Sequence, residues 1–218
     1  HWKTKEGLVR MCACRGTAGF AHVSCLAEQA KILCDEAEEN NSDDLQAHRW
    51  HTCSLCEQEY HGVVRGALGW ACWKTYLGRP EANWARKMAM NQLGNGLLLV
   101  GHFQDALSVQ EAELAVYRRI GASEAYMLDV QNNLANSYVK LGRFEEALPL
   151  RRDVYSGELK LNGEENRDTL TAANNYAVSL AHLQRFEEAK SVLRKTIPVA
   201  RRVLGENQDT ALRTRWIY

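Results

Sequence analysis

The sequence has no excess of charge: 27 lysines and arginines balance 27 aspartates and glutamates over 218 residues. That balance argues against a generic nucleic-acid or membrane-surface binder, which needs a basic face. Long apolar runs are missing too. The longest, near residues 97–100, is far too short to cross a bilayer, and no secretory leader is visible. No phosphate loop, nucleophile elbow or paired-carboxylate motif occurs. Gly94-Asn95-Gly96 falls in a helical pattern rather than after a strand. What is left is ordinary for a globular protein, with 45% apolar and 25% charged residues. A start at His1 and an end at Tyr218 suggest a piece of a longer chain.

Cysteine is the residue present in an informative pattern. Cys12 and Cys14 form C-x-C, His22 and Cys25 form H-x-x-C, and Cys53 and Cys56 form C-x-x-C. Paired thiolates and imidazole at short spacing suit a tetrahedral zinc ion, each pair forming one edge. Such pairs fit a reducing compartment better than a secreted disulfide scaffold, so the expected location is intracellular and cytoplasmic. Cys34 continues the helical run Leu26, Ala30, Leu33, and Cys72 sits between Trp70 and Trp73, so both read as packing residues. His51 reads as a neighbour of the ligands or a surface residue. The acidic stretch at 35–44 reads as a solvated helix end or loop.

Residues 7–61 resemble a variant RING finger of the RING-CH type. The matching details are Arg15-Gly16-Thr17 after the second cysteine, Phe20 before His22, Leu26 after Cys25, and Tyr60 after Cys56. A PHD finger has a similar ligand list, but its gap before the histidine is usually shorter. The RING-CH resemblance implies a cross-brace in which ligand pairs interleave. Cys12, Cys14, Cys53 and Cys56 would then hold one Zn2+, while His22 and Cys25 are half of a second site. It also implies a possible ubiquitin-conjugating enzyme as partner. Against that, the first ligand pair is missing and Gln29 stands where the family usually has tryptophan.

From residue 88 onward the chain repeats every 41 to 42 residues. Asn91-Gln92-Leu93-Gly94 aligns with Asn132-Asn133-Leu134-Ala135 and Asn174-Asn175-Tyr176-Ala177. The turn Gly101-His102-Phe103 recurs as Gly142-Arg143-Phe144 and Gln184-Arg185-Phe186, each followed by Ala106, Ala147 or Ala189. Gly121, Gly163 and Gly205 close the units, and Asp209-Thr210 begins a fourth. Each unit reads as two amphipathic helices. In unit two, Val130, Leu134, Tyr138 and Leu141 form one apolar face and Phe144, Ala147, Leu148, Val154 and Leu161 the other. Gln184 replaces the turn glycine, which is tolerable if that turn avoids left-handed geometry. Hairpins of this kind cannot bury their faces alone and stack into a solenoid. Residues 84–218 resemble tetratricopeptide repeats of the kinesin-light-chain form. A HEAT-type pair has a similar period, but the Gly-x-Phe-x-x-Ala turn disfavours it.

The connector, residues 62–83, reads as a helix with Val63, Ala67, Trp70, Ala71 and Leu77 on its apolar side. Arg79-Pro80-Glu81 reads as a break that places proline in the first turn of the next helix. Trp70, Trp73, Tyr76 and Trp84 read as packing between finger and repeats, with an aromatic ligand platform as the alternative.

The predicted fold is therefore mainly α: a small cross-brace zinc finger (1–61), a connecting helix (62–83) and a helical-hairpin tetratricopeptide solenoid (84–218). The predicted function is a zinc-binding adaptor that takes a protein or peptide in the repeat groove, with no nucleic acid and no membrane. The alternative is a ubiquitin ligase whose repeats recruit substrate. On the groove, the first helix of each repeat would present Asn91 and Asn95, then Asn132, Asn136 and Lys140, then Asn174 and His182. Asn133 and Asn175 would instead tie neighbouring helices together.

Overall fold

The computed structural model describes residues 5–10, 12–14, 16–40, 42 and 46–205. Arg15 of the finger motif, part of the acidic stretch, and the start of a fourth unit at Asp209 lie outside the described residues. The described chain is mainly helical, with one two-stranded ribbon. It divides into two compact units, residues 1–113 and 114–218.

In the first unit, β1 (Val9–Arg10) pairs antiparallel with β2 (Phe20–Ala21), with Val9 opposite Ala21 and Arg10 opposite Phe20. Helix α1 (Val23–Glu39) follows, then a 3-10 turn at Ala47–Trp50, α2 (Gly62–Tyr76) and α3 (Trp84–Leu99). Helix α4 (Phe103–Ile120) begins in this unit and continues into the second. One core joins α1, α2 and α3 through Ala30, Cys34, Trp50, Cys72, Tyr76, Ala85 and Ala89. Trp50 is fully buried and meets the Tyr76 ring edge-on, with centroids 6.0 Å apart. Cys34 and Cys72 are core residues, as the sequence predicts. At the foot of the first hairpin, Leu93 and Leu97 of α3 close on Ala106 of α4.

Helix α2 forms where its pattern predicts, but its buried face is the other one. Val64, Leu68, Cys72 and Tyr76 are buried, whereas Val63 is 78% exposed, Trp70 46% and Leu77 47%. Both faces are apolar, so periodicity alone does not choose between them. Glycine decides it. A Cβ at Gly69 would lie 2.7 Å from the Gln92 carbonyl oxygen, and one at Gly96 would lie 3.0 Å from the Arg65 carbonyl. Only glycine lets the α2 and α3 backbones approach this closely. Pro80 is not in the first turn of α3. It lies in the preceding turn, and Asn83 caps the helix by accepting from the Ala85 N–H at 3.0 Å.

The second unit is more regular. Helices α5 (Glu124–Lys140), α6 (Phe144–Asn162), α7 (Arg167–His182) and α8 (Phe186–Leu204) pack each on the next. Ala147 and Ala189 are fully buried at the hairpin crossings, as is Ala106 in the first hairpin. Leu161, predicted on the apolar face of α6, is 42% exposed because it lies in the last turn. Gln184 has φ +59°, so the third turn is left-handed like its glycine counterparts at Gly101 (+85°) and Gly142 (+73°). The condition under which glutamine would sit there without cost is not met, and the residue carries the strain of a side chain in that region.

Candidate metal centre and repeat face

Four cysteines come together in the first unit. The Sγ atoms of Cys12, Cys14, Cys53 and Cys56 all lie within 4.8 Å of one another, and Cys14 Sγ is 3.8 Å from Cys53 Sγ. The ribbon β1–β2 delivers the first pair: Cys12 and Cys14 lie in the bend between the strands, which Arg10 steadies by donating to the Cys14 carbonyl at 3.1 Å. A tight knuckle delivers the second pair. The Cys53 N–H donates to the Gln58 carbonyl at 2.9 Å, Glu57 returns a bond to the Cys53 carbonyl, and Thr52 bridges Glu59. The Leu55 N–H points at Cys53 Sγ, 3.4 Å away.

The walls of the cluster are apolar: Val23 and Leu26 of α1, Val64 and Leu68 of α2, and Tyr60. This seat makes a lone thiolate expensive. Burial pushes the Cys12 thiol up, and hydrogen bonding first with Cys12 and then with Cys56 pushes Cys14 up to about 12. Cys56 is held down to about 7, chiefly by a backbone hydrogen bond from Gln58. Four thiols this close ionise together only if a cation sits among them. All seven cysteines are free, so no disulfide competes for these sulfurs.

His22 and Cys25 lie apart from this cluster, at the N-terminus of α1, with Cys25 Sγ 3.7 Å from His22 Nδ1. His51 is next to the knuckle and is half-buried. Its Nδ1 meets the Gln92 side-chain amide at 3.3 Å, and Gln92 accepts from the buried Arg65 guanidinium at 2.7 Å. Burial, and then the Arg65 charge, lower its pKa to about 4, so it stays neutral. The acidic end of α1 is not simply solvated. Glu38 accepts from Arg79 at 2.7 Å and from the Trp84 indole N–H at 3.1 Å, tying α1 to the start of α3.

The predicted groove residues are distributed unevenly. Asn91 accepts from the Asn95 amide at 3.0 Å within α3. Asn132 and Asn136 both accept from the guanidinium of Arg151, which is buried in α6. These two asparagines therefore tie α5 to α6, the role that sequence assigns to Asn133. Asn174 is only 5% exposed and presents no amide to a partner. Its neighbour Asn175, expected to tie helices, instead lines a cleft of about 90 Å3 with Asp129, Asn132, Glu158, Asp168 and Thr171. One residue along a helix rotates the side chain by about 100°, enough to exchange those roles. Lys140 and His182 are exposed, and the His182 ring stacks on Phe144 at 4.3 Å.

Sequence reasoning missed Arg151. It stands seven residues after the turn phenylalanine, where the other hairpins place Gln110 and Leu193, and all three positions are buried. A polar residue at a recurring core position is the signal that aligning the units provides. In the cleft, burial and then the nearby Glu158 and Asp168 charges raise the pKa of Asp129.

Paired helices stacked in sequence order define a helical-hairpin repeat protein. The tetratricopeptide repeat model matches residues 127–164 and 169–209, so the second and third units are tetratricopeptide repeats. A solved structure from Podosopora anserina, titled as a kinesin light chain with nearly identical TPR-like repeats, superposes with a TM-score of 0.59 at 19% identity. The match covers 90% of this chain and 84% of that one. BtubC (BKLC) from P. vanneervenii gives 0.52 at 16% identity, covering 89% of this chain and 63% of that one. At these identities the likeness is one of fold. No curated protein matches the sequence. Among the described residues, no helix is long and apolar enough to cross a membrane.

Proposed function

We propose that this chain is a zinc-stabilised adaptor in which a RING-CH-like finger precedes tetratricopeptide hairpins that bind an extended peptide. The four-thiolate cluster carries the reading. Zinc held by four sulfurs at about 2.3 Å puts them about 3.8 Å apart in a tetrahedron. Cys14 and Cys53, which lie 39 residues apart, already stand at 3.8 Å. A set of four thiolates leaves no open position for water or substrate, so the metal's contribution is folding energy rather than catalysis. His22 and Cys25 form half of a second site. The finger, the connecting helix and the repeats are proposed to divide near residues 61 and 83, although α2 and α3 share the finger's core.

The peptide face is proposed along α5 and α7, where Asp129, Asp168, Thr171 and Asn175 border the cleft and Lys140 and His182 stand exposed. Carboxylates and amides there accept from a peptide's N–H groups and basic side chains. Asn91 and Asn95 occupy the corresponding turns of the first hairpin. Ubiquitin transfer has no comparable support, because α1 presents exposed Gln29 at the position where the family carries tryptophan.

Metal analysis after exhaustive dialysis tests the reading. About one zinc per chain is expected, lost in Cys53→Ser. No zinc, or metal unchanged in that variant, refutes it. For the peptide face, selection from a displayed peptide library should enrich ligands that Asp129→Asn with Asp168→Asn no longer captures at an unchanged melting temperature.

A further inference from the structure

The outward face of α2 has a surface pattern that neither the finger nor the repeats use. Val63, Ala67, Trp70, Lys74 and Leu77 follow one another at alternating intervals of four and three residues. All five are exposed, with Val63 at 78%, Trp70 at 46% and Leu77 at 47%. The opposite face of the same helix is fully used in the core. A strict four-three spacing keeps a seam of side chains in line along a helix and is the pattern of helix pairing. Beside the seam, Trp70 and Trp73 border an apolar cleft of about 300 Å3 that continues over Met90, Leu93, Val109 and Ala112.

We propose that this seam pairs with the α2 helix of a second copy of the same chain, antiparallel, in a two-fold dimer. The seam is self-complementary. In the antiparallel register that sets Ala67 against the second copy's Leu77, Trp70 falls opposite the second copy's Lys74, and symmetry repeats both contacts. Each ammonium then lies over an indole ring, the aromatic partner that attracts a cation best. The single charge in the seam thus gains a partner rather than losing its water for nothing. A parallel arrangement would place Lys74 against Lys74 and is disfavoured by repulsion. A charged residue at one seam position selects among registers in this way. Zero net charge leaves no long-range repulsion between copies. Isologous contacts of this type are the commonest way that soluble chains associate.

Sedimentation equilibrium on the whole metal-loaded chain tests the proposal. A mass that rises with concentration from one chain to two is expected. Lys74→Glu and Trp70→Ala should each weaken the association about tenfold, because each removes two symmetric cation–π contacts. Lys74→Arg should retain it, since guanidinium also stacks on indole. Both positions are exposed, so unchanged circular dichroism and metal content show that the fold is intact. A wild-type chain that stays monomeric throughout overturns the proposal. So does a dimer that Lys74→Glu and Trp70→Ala leave unaltered, which would place the contact elsewhere and leave the seam to a helix of another protein.

Discussion

The two units solve the same packing problem by different means. In residues 114–218, α5 to α8 repeat one hairpin, and α5, α6 and α7 are each closed by the next helix in sequence, with alanine at the crossings. Residues 1–113 have no repeat to lean on for most of their length. They fill the gap with a cysteine cluster, a buried tryptophan, glycines between α2 and α3, and the Arg65–Gln92–His51 chain of polar contacts. Regular repetition makes stability a sum of similar neighbour terms. The irregular unit concentrates it in a few groups, so single changes there should cost more.

Chelation should separate the units most widely. Removing the metal from a finger of this size forfeits most of its folding energy, on the order of 10 kcal/mol. Amide exchange should then become fast across residues 5–61 while α5 to α8 keep their protection. Equal loss in both regions would show that the contrast is not real. Trp50→Ala comes next. It empties a fully buried site at the meeting of α1, α2 and α3, and about 3–5 kcal/mol should disappear from the first unit's unfolding transition.

Arg151→Leu probes the regular unit at a charged core position. The variant supplies the residue type that the third hairpin uses there, but leaves Asn132 and Asn136 without their donor. A loss of about 1–3 kcal/mol in chemical denaturation is expected. A gain would mean that burying the guanidinium costs more than its two bonds return. Gln184→Gly should stabilise by roughly 1 kcal/mol, by relieving a left-handed side chain, and should bring the third turn level with the other two.

The smallest effect is expected at Glu38, which is partly exposed. The Arg79 guanidinium, and then the Trp84 indole N–H, hold its carboxyl below the usual carboxylate range. Its contribution is therefore complete above the unfolded pKa of about 4.3 and fades as pH falls through the lower folded value. Glu38→Gln should cost about 0.5–1 kcal/mol at pH 7, and the difference from wild type should narrow below pH of about 4. A difference that is flat with pH would mean that the ion pair contributes nothing.

The sequence alone determined the helical hairpins and the paired cysteines. Both are written in spacing that survives without knowledge of the third dimension. A turn phenylalanine, an alanine and an asparagine recur together three times, and short cysteine pairs have few structural uses other than metal. The grouping of Cys12, Cys14, Cys53 and Cys56 was implied by the RING-CH resemblance, and the structure brings those four together. Tertiary structure alone decided which side of α2 faces inward, because both sides are apolar and only the Gly69 and Gly96 backbone contacts break the tie. It also decided that Asn132 and Asn136 serve Arg151 while Asn175, not Asn174, reaches the cleft. Those outcomes turn on rotations of one residue about a helix axis. A repeat pattern fixes where a helix lies, but the neighbour that packs against it fixes which way each side chain points.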